Sequence, residues 1–281
     1  MSENMRPDLI PLVVLSFDRP KYLRRVLESL RLQTRPVSSA NVSLFQDGPY
    51  EQSGELQKEC TETFKEIFPD GRVFDSETNL GTALNFHRAE TYVFEHLKAP
   101  VAYFFEDDLE LSPYYLEVLD QLSVFALKDD RIGYVAAYGD HRAPLAQQKQ
   151  LLHTYIPLDH KWGFALTRNQ WLKQKAIVDG YLDIIREKNY RLRDNKRIRT
   201  YFSGFGYSST GTSQDAAKDI ACCVTGSAKL NTFACFGRNI GRVGLHTREN
   251  FYDKQGYEKT VLFDASLQLV PPTDQFIEQA I

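Results

Sequence analysis

The stretch that most constrains this chain is Val101-Ala102-Tyr103-Phe104-Phe105-Glu106-Asp107-Asp108. An apolar, aromatic run of buried-strand length ends in three consecutive carboxylates. Like charges this close repel and raise one another's pKa, so the cluster calls for a compensating cation at neutral pH. Hard divalent cations take oxygen ligands, and Mg²⁺ in particular is held by one or two carboxylates together with substrate phosphates. A buried strand that ends this way is suited to holding a metal–diphosphate. The competing reading is a solvated acidic turn ahead of the helix that Ser112-Pro113 announces.

Around this strand the chain alternates. Leu9–Phe17 reads as a strand, with Pro11 tolerable near its start. Pro20 suits a first helical position, and Leu23, Val26, Leu27 and Leu30 follow at helical spacing. Val42–Phe45 is a short strand closed by the turn Gln46-Asp47-Gly48-Pro49. A helix carrying Leu56, Cys60, Phe64 and Ile67, a brief strand Arg72–Phe74 and a helix Gly81–Leu97 precede the acidic strand. A helix from Ser112-Pro113 to about Leu127 and a strand Ile132–Tyr138 follow it. Strands joined by helical segments of this length imply crossovers and a mostly parallel α/β sheet. In such sheets ligands bind beyond the carboxyl ends of the strands. Asp18, Arg19, Asp47 and Glu106–Asp108 all sit at such ends.

After Gly139 the pattern loosens. Residues 140–160 read as a loop, Lys161–Thr167 as a strand and Asn169–Val178 as a helix. Arg186–Thr200 holds seven Lys/Arg against two acidic residues. It reads as a solvated helix face, or alternatively as a contact for an anionic membrane or a lipid-linked substrate. Ser203–Ser213 is a glycine- and serine-rich loop before a helix Asp215–Thr225. Leu230–His246 reads as strand, turn and glycine-spaced loop. The segment beyond Leu267, with Pro271-Pro272, reads as a terminal wrap or a linker.

A net charge of −3 over 281 residues gives no case for nucleic acid as a bulk partner. An anionic substrate must then be neutralised by a few local arginines and a metal. No stretch approaches the roughly 20 apolar residues of a membrane span, and the polar first eight residues lack a signal core, so the expected location is cytoplasmic. Cys60, Cys222, Cys223 and Cys235 match no zinc or C-x-x-C pattern and are expected to be reduced.

The ordered set LVVLSFDRP, VSLFQDGP, NFHRAETYVFEH and FFEDDLELSPYYL resembles the GT-A fold glycosyltransferases. It is most similar to the N-acetylglucosaminyltransferase I type and to bacterial enzymes built on similar lines. The resemblance runs from about Leu9 to Thr247. It implies a Rossmann-like, mostly parallel sheet with helices on both faces and a small C-terminal portion on the acceptor side. It divides the chain into one domain over 1–267, with nucleotide-sugar binding in 9–138 and acceptor and catalytic functions in 139–267. Residues 268–281 remain as a tail or linker.

The resemblance also implies roles. Asp108 is the direct ligand of Mn²⁺ or Mg²⁺, while Glu106 and Asp107 face the ribose and the donor sugar. Asp47 reads the nucleotide base, and a carboxylate can accept a hydrogen bond from a uracil imide N–H, which favours a UDP-sugar; a turn-forming Asp is the alternative. Arg19 lies near base and phosphates, where a helix start would otherwise disfavour it. His87 contacts the nucleotide, although it also falls on the apolar face of its helix. Trp162 and Gly163 shape the sugar pocket and the acceptor entrance, and Arg242 and His246 in the Gly237–Thr247 loop face the diphosphate. Asp215 is the general base, with Asp219 one helical turn on as its competitor; Gln214 stands where the family usually has an aromatic residue.

The implied activity is inverting, metal-dependent transfer of a hexose or N-acetylhexosamine to a glycan or lipid-linked saccharide, as in polysaccharide biosynthesis. A sugar nucleotidyltransferase would need a glycine-rich basic loop after the first strand, which Ser16–Pro20 is not. A glycoside hydrolase needs no nucleotide site. A non-catalytic sugar-nucleotide-binding module is the remaining alternative.

Overall fold

The computed structural model describes residues 6–50, 54–244 and 249–281. The chain folds from one central sheet outward. Strand β1 (Leu12–Ser16) is buried along its whole length and lies between β2 (Val42–Gln46) and β4 (Val101–Glu106), parallel to both. Strand β3 (Arg72–Asp75) adds in parallel outside β2. Between them run α1 (Pro20–Arg31), α2 (Glu55–Ile67) and α3 (Gly81–Thr91), the last prolonged by a π-helical turn over Tyr92–His96. Pro20 occupies the first turn of α1, and Leu23, Val26, Leu27 and Leu30 form its buried stripe. The register aligns Leu15 with Phe45 and with Glu106, so β1, β2 and β4 end at one edge of the sheet.

Past the acidic corner come β5 (Leu109–Leu111), α4 (Tyr115–Lys128), β6 (Ile132–Ala136), α5 (Leu145–Gln150) and β7 (Tyr155–Pro157). Strand β8 (Gly163–Thr167) leads into the long α6 (Arg168–Arg186) and then α7 (Asn195–Ser203). Helix α8 (Gln214–Thr225), β9 (Ala228–Thr232), β10 (Gly237–Asn239), α9 (Glu249–Gln255) and α10 (Asp274–Ala280) complete the chain. Among the described residues the main sheet has the order β3-β2-β1-β4-β8-β6-β9-β7. The expected α/β architecture with a mostly parallel sheet and flanking helices is therefore present. β8 departs from it, lying antiparallel between β4 and β6. Because β8 runs against its neighbours, the residues before it, not those after it, arrive at the functional edge. Glu106 N–H donates to the Trp162 carbonyl at 2.7 Å. A small second sheet pairs β5 with β10 and brings the chain after Asn239 back over the acidic corner.

Two expectations need correction. The basic stretch is not one helix: α6 stops at Arg186, a single 3₁₀ turn spans Tyr190–Leu192, and α7 begins at Asn195, capped by the Asp194 side chain. The helix expected from Ser112-Pro113 opens at Tyr115 instead, with Ser112 accepting at its carbonyl from the Tyr115 N–H. Of the two readings for residues 268–281, a terminal wrap or a linker, the structure shows the wrap, packed on the domain. Leu269 and Ile277 are buried in the main core, Gln121 accepts from the Leu269 N–H at 2.8 Å, and Asp274 pairs with Arg131. The four cysteines are free, as expected.

A second, smaller core joins the end of α6, the 3₁₀ turn, α7 and α8, centred on Tyr181, Ile185, Tyr190, Ile198 and Phe202. Helix α8 is further fixed to α3 by a buried ion pair: Lys218 Nζ lies 2.5 Å from Glu90 Oε1, with 4% and 3% side-chain exposure. The ammonium also sits 4.3 Å from the Phe86 ring centroid. Leaving one such charge buried without its partner costs about 3–5 kcal/mol. Lys218→Met is accordingly expected to lower unfolding free energy by about that amount in urea titration, and Glu90→Gln to do the same.

Candidate functional site

The carboxyl edge of the sheet surrounds a cavity of about 340 Å³. Its floor is the acidic corner. Asp107 and Asp108 are buried, and Arg19, at the start of α1, closes on both: its guanidinium pairs with Asp107 Oδ1 and lies 2.9 Å from Asp108 Oδ2. Burial opposes the charge on Arg19, but Asp107 and Asp108 outweigh it and hold the guanidinium firmly protonated. Burial pushes the Asp107 carboxyl up to about 6 even against the pull of Arg19. Glu106 is driven well above the usual carboxylate range by burial and then by Asp108 and Asp215. The corner thus carries more negative charge than Arg19 offsets.

Two oxygens of the corner, Asp107 Oδ2 and Asp108 Oδ1, are buried with no hydrogen-bond donor among the described residues. Such orphaned anionic acceptors suit a hard cation. No group of three His, Cys, Asp or Glu side chains among the described residues is arranged to hold a metal ion. The fit is therefore to a cation held by one or two carboxylates, the remaining ligands coming from substrate phosphates and water.

The segment after β10 covers this corner. Ile240 N–H donates to the Asp108 carbonyl at 2.8 Å, and Tyr252 Oη donates to the Asn239 carbonyl at 2.9 Å. A Cβ at Gly241 would collide with the Asp108 carboxylate, and one at Gly244 would stand 2.9 Å from the Arg19 guanidinium. Glycine at 241 is what allows the backbone so close. Arg242, expected at the diphosphate, pairs instead with Asp253 at 2.9 Å and is half-exposed. His246 lies outside the described residues.

Asp215 lines the same cavity, in the first turn of α8. Ser213 caps that helix by accepting from the Ala216 N–H, and Gln214 Nε2 donates to Asp215 Oδ1 at 2.7 Å. Its competitor Asp219 is not among the lining residues. One Asp219 oxygen takes Lys161 at 2.7 Å and Lys229 at 2.6 Å. Lys161 is 0% exposed; burial works against its charge, and Asp215 and Asp219 together hold it protonated. Asp219 is thus a counter-ion for two lysines, while Asp215 faces open space.

Trp162 forms part of the wall. Its ring stacks on His160 (4.4 Å between centroids, 15° between planes) and meets Tyr257 edge-on at 5.2 Å. Burial keeps the His160 imidazole below its ordinary pKa, hence neutral near pH 7. Gly163 lies behind the wall, where a Cβ would strike Leu109 and the Tyr115 hydroxyl. His87 is brought elsewhere, to a small crevice with Glu90, Trp171 and Asp179.

Asp47 does line the cavity, but its carboxylate is occupied by its own chain. Oδ1 accepts from the Gly48 N–H at 2.9 Å and the Leu80 N–H at 2.7 Å. Oδ2 accepts from the Gly81 N–H at 2.9 Å and Asn79 Nδ2 at 3.1 Å. A carboxylate has about four lone-pair sites, so Asp47 caps the start of α3 and has none left for a base. The neighbouring Asn79 supplies what Asp47 cannot. Its amide nitrogen is fixed by Asp47 and by the Gly48 carbonyl at 3.0 Å, which leaves Oδ1 buried beside the cavity with no partner among the described residues.

Sequence reasoning missed Asn79, His160, Tyr50 and Tyr257, all of which line the cavity. His160, two residues ahead of Trp162, was a usable signal, since an imidazole at the entry to a buried strand seldom faces the core, although Lys161 beside it is fully buried. Asn79 carried none.

Comparison with known proteins gives little beyond this. No family model matches the chain, and no curated protein matches it. Residues 1–349 of TarS from S. aureus align with 75% of this chain and 69% of their own, at 14% identity and a TM-score of 0.42. The mannosyltransferase PcManGT from Pyrobaculum calidifontis, in complex with GDP-Man and Mn²⁺, aligns with 79% and 72%, at 11% identity and the same score. These likenesses are weak, and the functional reading rests on the site itself.

Asp47→Asn replaces an acceptor by a donor facing backbone N–H groups. It is expected to lower stability by about 1–3 kcal/mol with no ligand present. A thermal melt of the ligand-free variant that overlays the parent would show that the four contacts are not structural.

Proposed function

We propose that this chain is a divalent-cation-dependent, inverting glycosyltransferase. Its donor is a nucleoside-diphosphate sugar, with uridine as the favoured nucleoside, and its acceptor a hydroxyl of a glycan or lipid-linked saccharide. One observation carries the reading: a carboxylate corner with orphaned oxygens shares a cavity with a separate carboxylate, Asp215, at a helix start. The first suits a metal–diphosphate and the second a proton acceptor.

In this reading Asp108 holds Mn²⁺ or Mg²⁺, with Asp107 beside it. When bound, the cation supplies Lewis-acid stabilisation of charge on the departing diphosphate. Arg19 then gives up its contact with Asp108 and presents that side of its guanidinium to phosphate oxygens, which its planar fork fits. Asn79 Oδ1 accepts from the imide N–H of the base, the role expected of Asp47. Trp162 offers its face to the C–H surface of a sugar, and Glu106 accepts from donor hydroxyls. Asp215, steadied by Gln214, takes the proton of the acceptor hydroxyl. The acceptor oxygen forms its bond to the anomeric carbon from one side as the bond to the diphosphate oxygen breaks on the other, which inverts the centre. A base in this role contributes about 10²–10⁴-fold.

Titration calorimetry with Mn²⁺ and sugar nucleotides, beside a transfer assay, tests this. Asp108→Ala should lose metal-dependent donor binding, whereas Asp215→Asn should keep binding and lose about 10²–10⁴-fold in turnover. Full transfer by purified Asp215→Asn would remove that residue from the chemistry. Arg19→Gln should bind Mn²⁺ more tightly than the parent when no nucleotide is present, because the internal competitor for Asp108 is gone. Unchanged or weaker Mn²⁺ affinity, read by the electron paramagnetic resonance of the free ion, would show that Arg19 and the cation do not compete.

A further inference from the structure

We infer that the surface built from the end of α6, the 3₁₀ turn and α7 is a docking face for an anionic lipid membrane. Residues 186–200 carry a surplus of five positive charges, while the whole chain is at −3, which leaves −8 on the remainder. A surplus that opposes the rest of the molecule and falls within fifteen residues is a directional charge. Arg186, Lys188, Arg191, Lys196, Arg197 and Arg199 are all exposed. Internal ion pairs take up only part of this, through Arg186–Asp183 and Arg197–Glu187. Lys188, Lys196 and Arg199 make no ion pair with any described residue.

The apolar component decides the kind of anion. Leu192, at the end of the 3₁₀ turn, is 73% exposed, more than any other large hydrophobic side chain described. It is held out on a firm base. Tyr190, two residues before it, is buried in the smaller core, and Arg193, one after it, donates from Nε to the Thr212 carbonyl at 3.1 Å and from Nη1 to the Tyr190 carbonyl at 3.0 Å. The turn cannot fold back to hide the leucine without breaking these contacts. A soluble polyanion has no use for a projecting leucine. A bilayer does, because its acyl boundary takes the side chain while the headgroups take the charges. Leu192 and Arg191 also line a groove of about 950 Å³ with Phe17, Asp18 and Tyr50, and those three residues line the candidate active cavity too. Docking by this face places the cavity mouth at the membrane surface, where a lipid-linked acceptor would be met.

The affinity claim stands without the glycosyltransferase reading, because its test contains no donor or metal. The full chain is sedimented with vesicles of phosphatidylcholine containing 30% phosphatidylglycerol, and with pure phosphatidylcholine. The expected result is binding to the first only, weakened by added salt. Each basic residue near an anionic surface raises affinity about five-fold. Reversing Lys188, Lys196 and Arg199 to glutamate should therefore reduce binding at least ten-fold, with the circular dichroism spectrum and melting temperature unchanged. Leu192→Ser should reduce binding several-fold and leave its salt dependence in place. Absence of binding to the anionic vesicles at low salt would overturn the inference, as would a triple variant that binds like the parent. Equal binding to soluble polyglutamate, indifferent to Leu192→Ser, would overturn it in favour of an acidic polymer.

Discussion

The contact between Arg19 and the two aspartates after β4 is the interaction on which the rest of this molecule turns. Three carboxylates delivered in sequence to the end of a buried strand are unstable without a cation. Arg19 is the cation the chain itself supplies, from the residue just ahead of α1, across the end of β1. The pairing of β1 with β4 sets Leu15 opposite Glu106, so a guanidinium three residues past Ser16 reaches acids just past Glu106. Two aspartate oxygens still lack a donor among the described residues. The fold is thus neutralised well enough to form and poorly enough to attract a further positive charge.

Around that corner the structure separates what must be firm from what must be open. Helix α8 brings Asp215 to the cavity and is held by charges beneath it: Lys218 to Glu90 on α3, and Asp219 to Lys161 and Lys229. These pairs make Asp219, a carboxylate one turn along the same helix, the counter-ion of two lysines. Asp47 shows the same division. Its carboxylate organises the start of α3, and the free acceptor is passed to Asn79, which it holds in place.

Much of this was legible in the sequence, and for identifiable reasons. The strand Val101–Glu106 and its acids, the turn after β2 and the stripe of α1 are local patterns, and each was read at nearly its final boundaries. What escaped were relations between distant segments. Lys161–Thr167 reads as a strand, but an apolar run carries no sign of its direction, so its antiparallel insertion beside β4 was hidden. The fate of Asp47 depends on backbone N–H groups more than thirty residues away, which no side-chain pattern announces. His87 sits on the apolar face that helical spacing gave it, and that face looks into a separate crevice. The basic stretch was plain as composition, but its break into turn and helix depends on Tyr190 anchoring in a core that only the folded chain assembles.

The direction of β8 has a consequence for how such a site can diversify. The parallel strands hand over their arginine and acids through short turns, residues 17–19 into α1 and residues 107–108 into β5, so little there can change length without moving the floor. The wall made by His160 and Trp162 comes from the short connection, residues 158–162, between β7 and the oppositely directed β8. That connection is pinned at both ends, by the Leu158 N–H on the Lys229 carbonyl and by the Trp162 carbonyl on the Glu106 N–H, with the His160 N–H on the Tyr138 hydroxyl between them. A change in the wall at His160 and Trp162 is therefore felt at the acidic corner, because one backbone hydrogen bond joins the two.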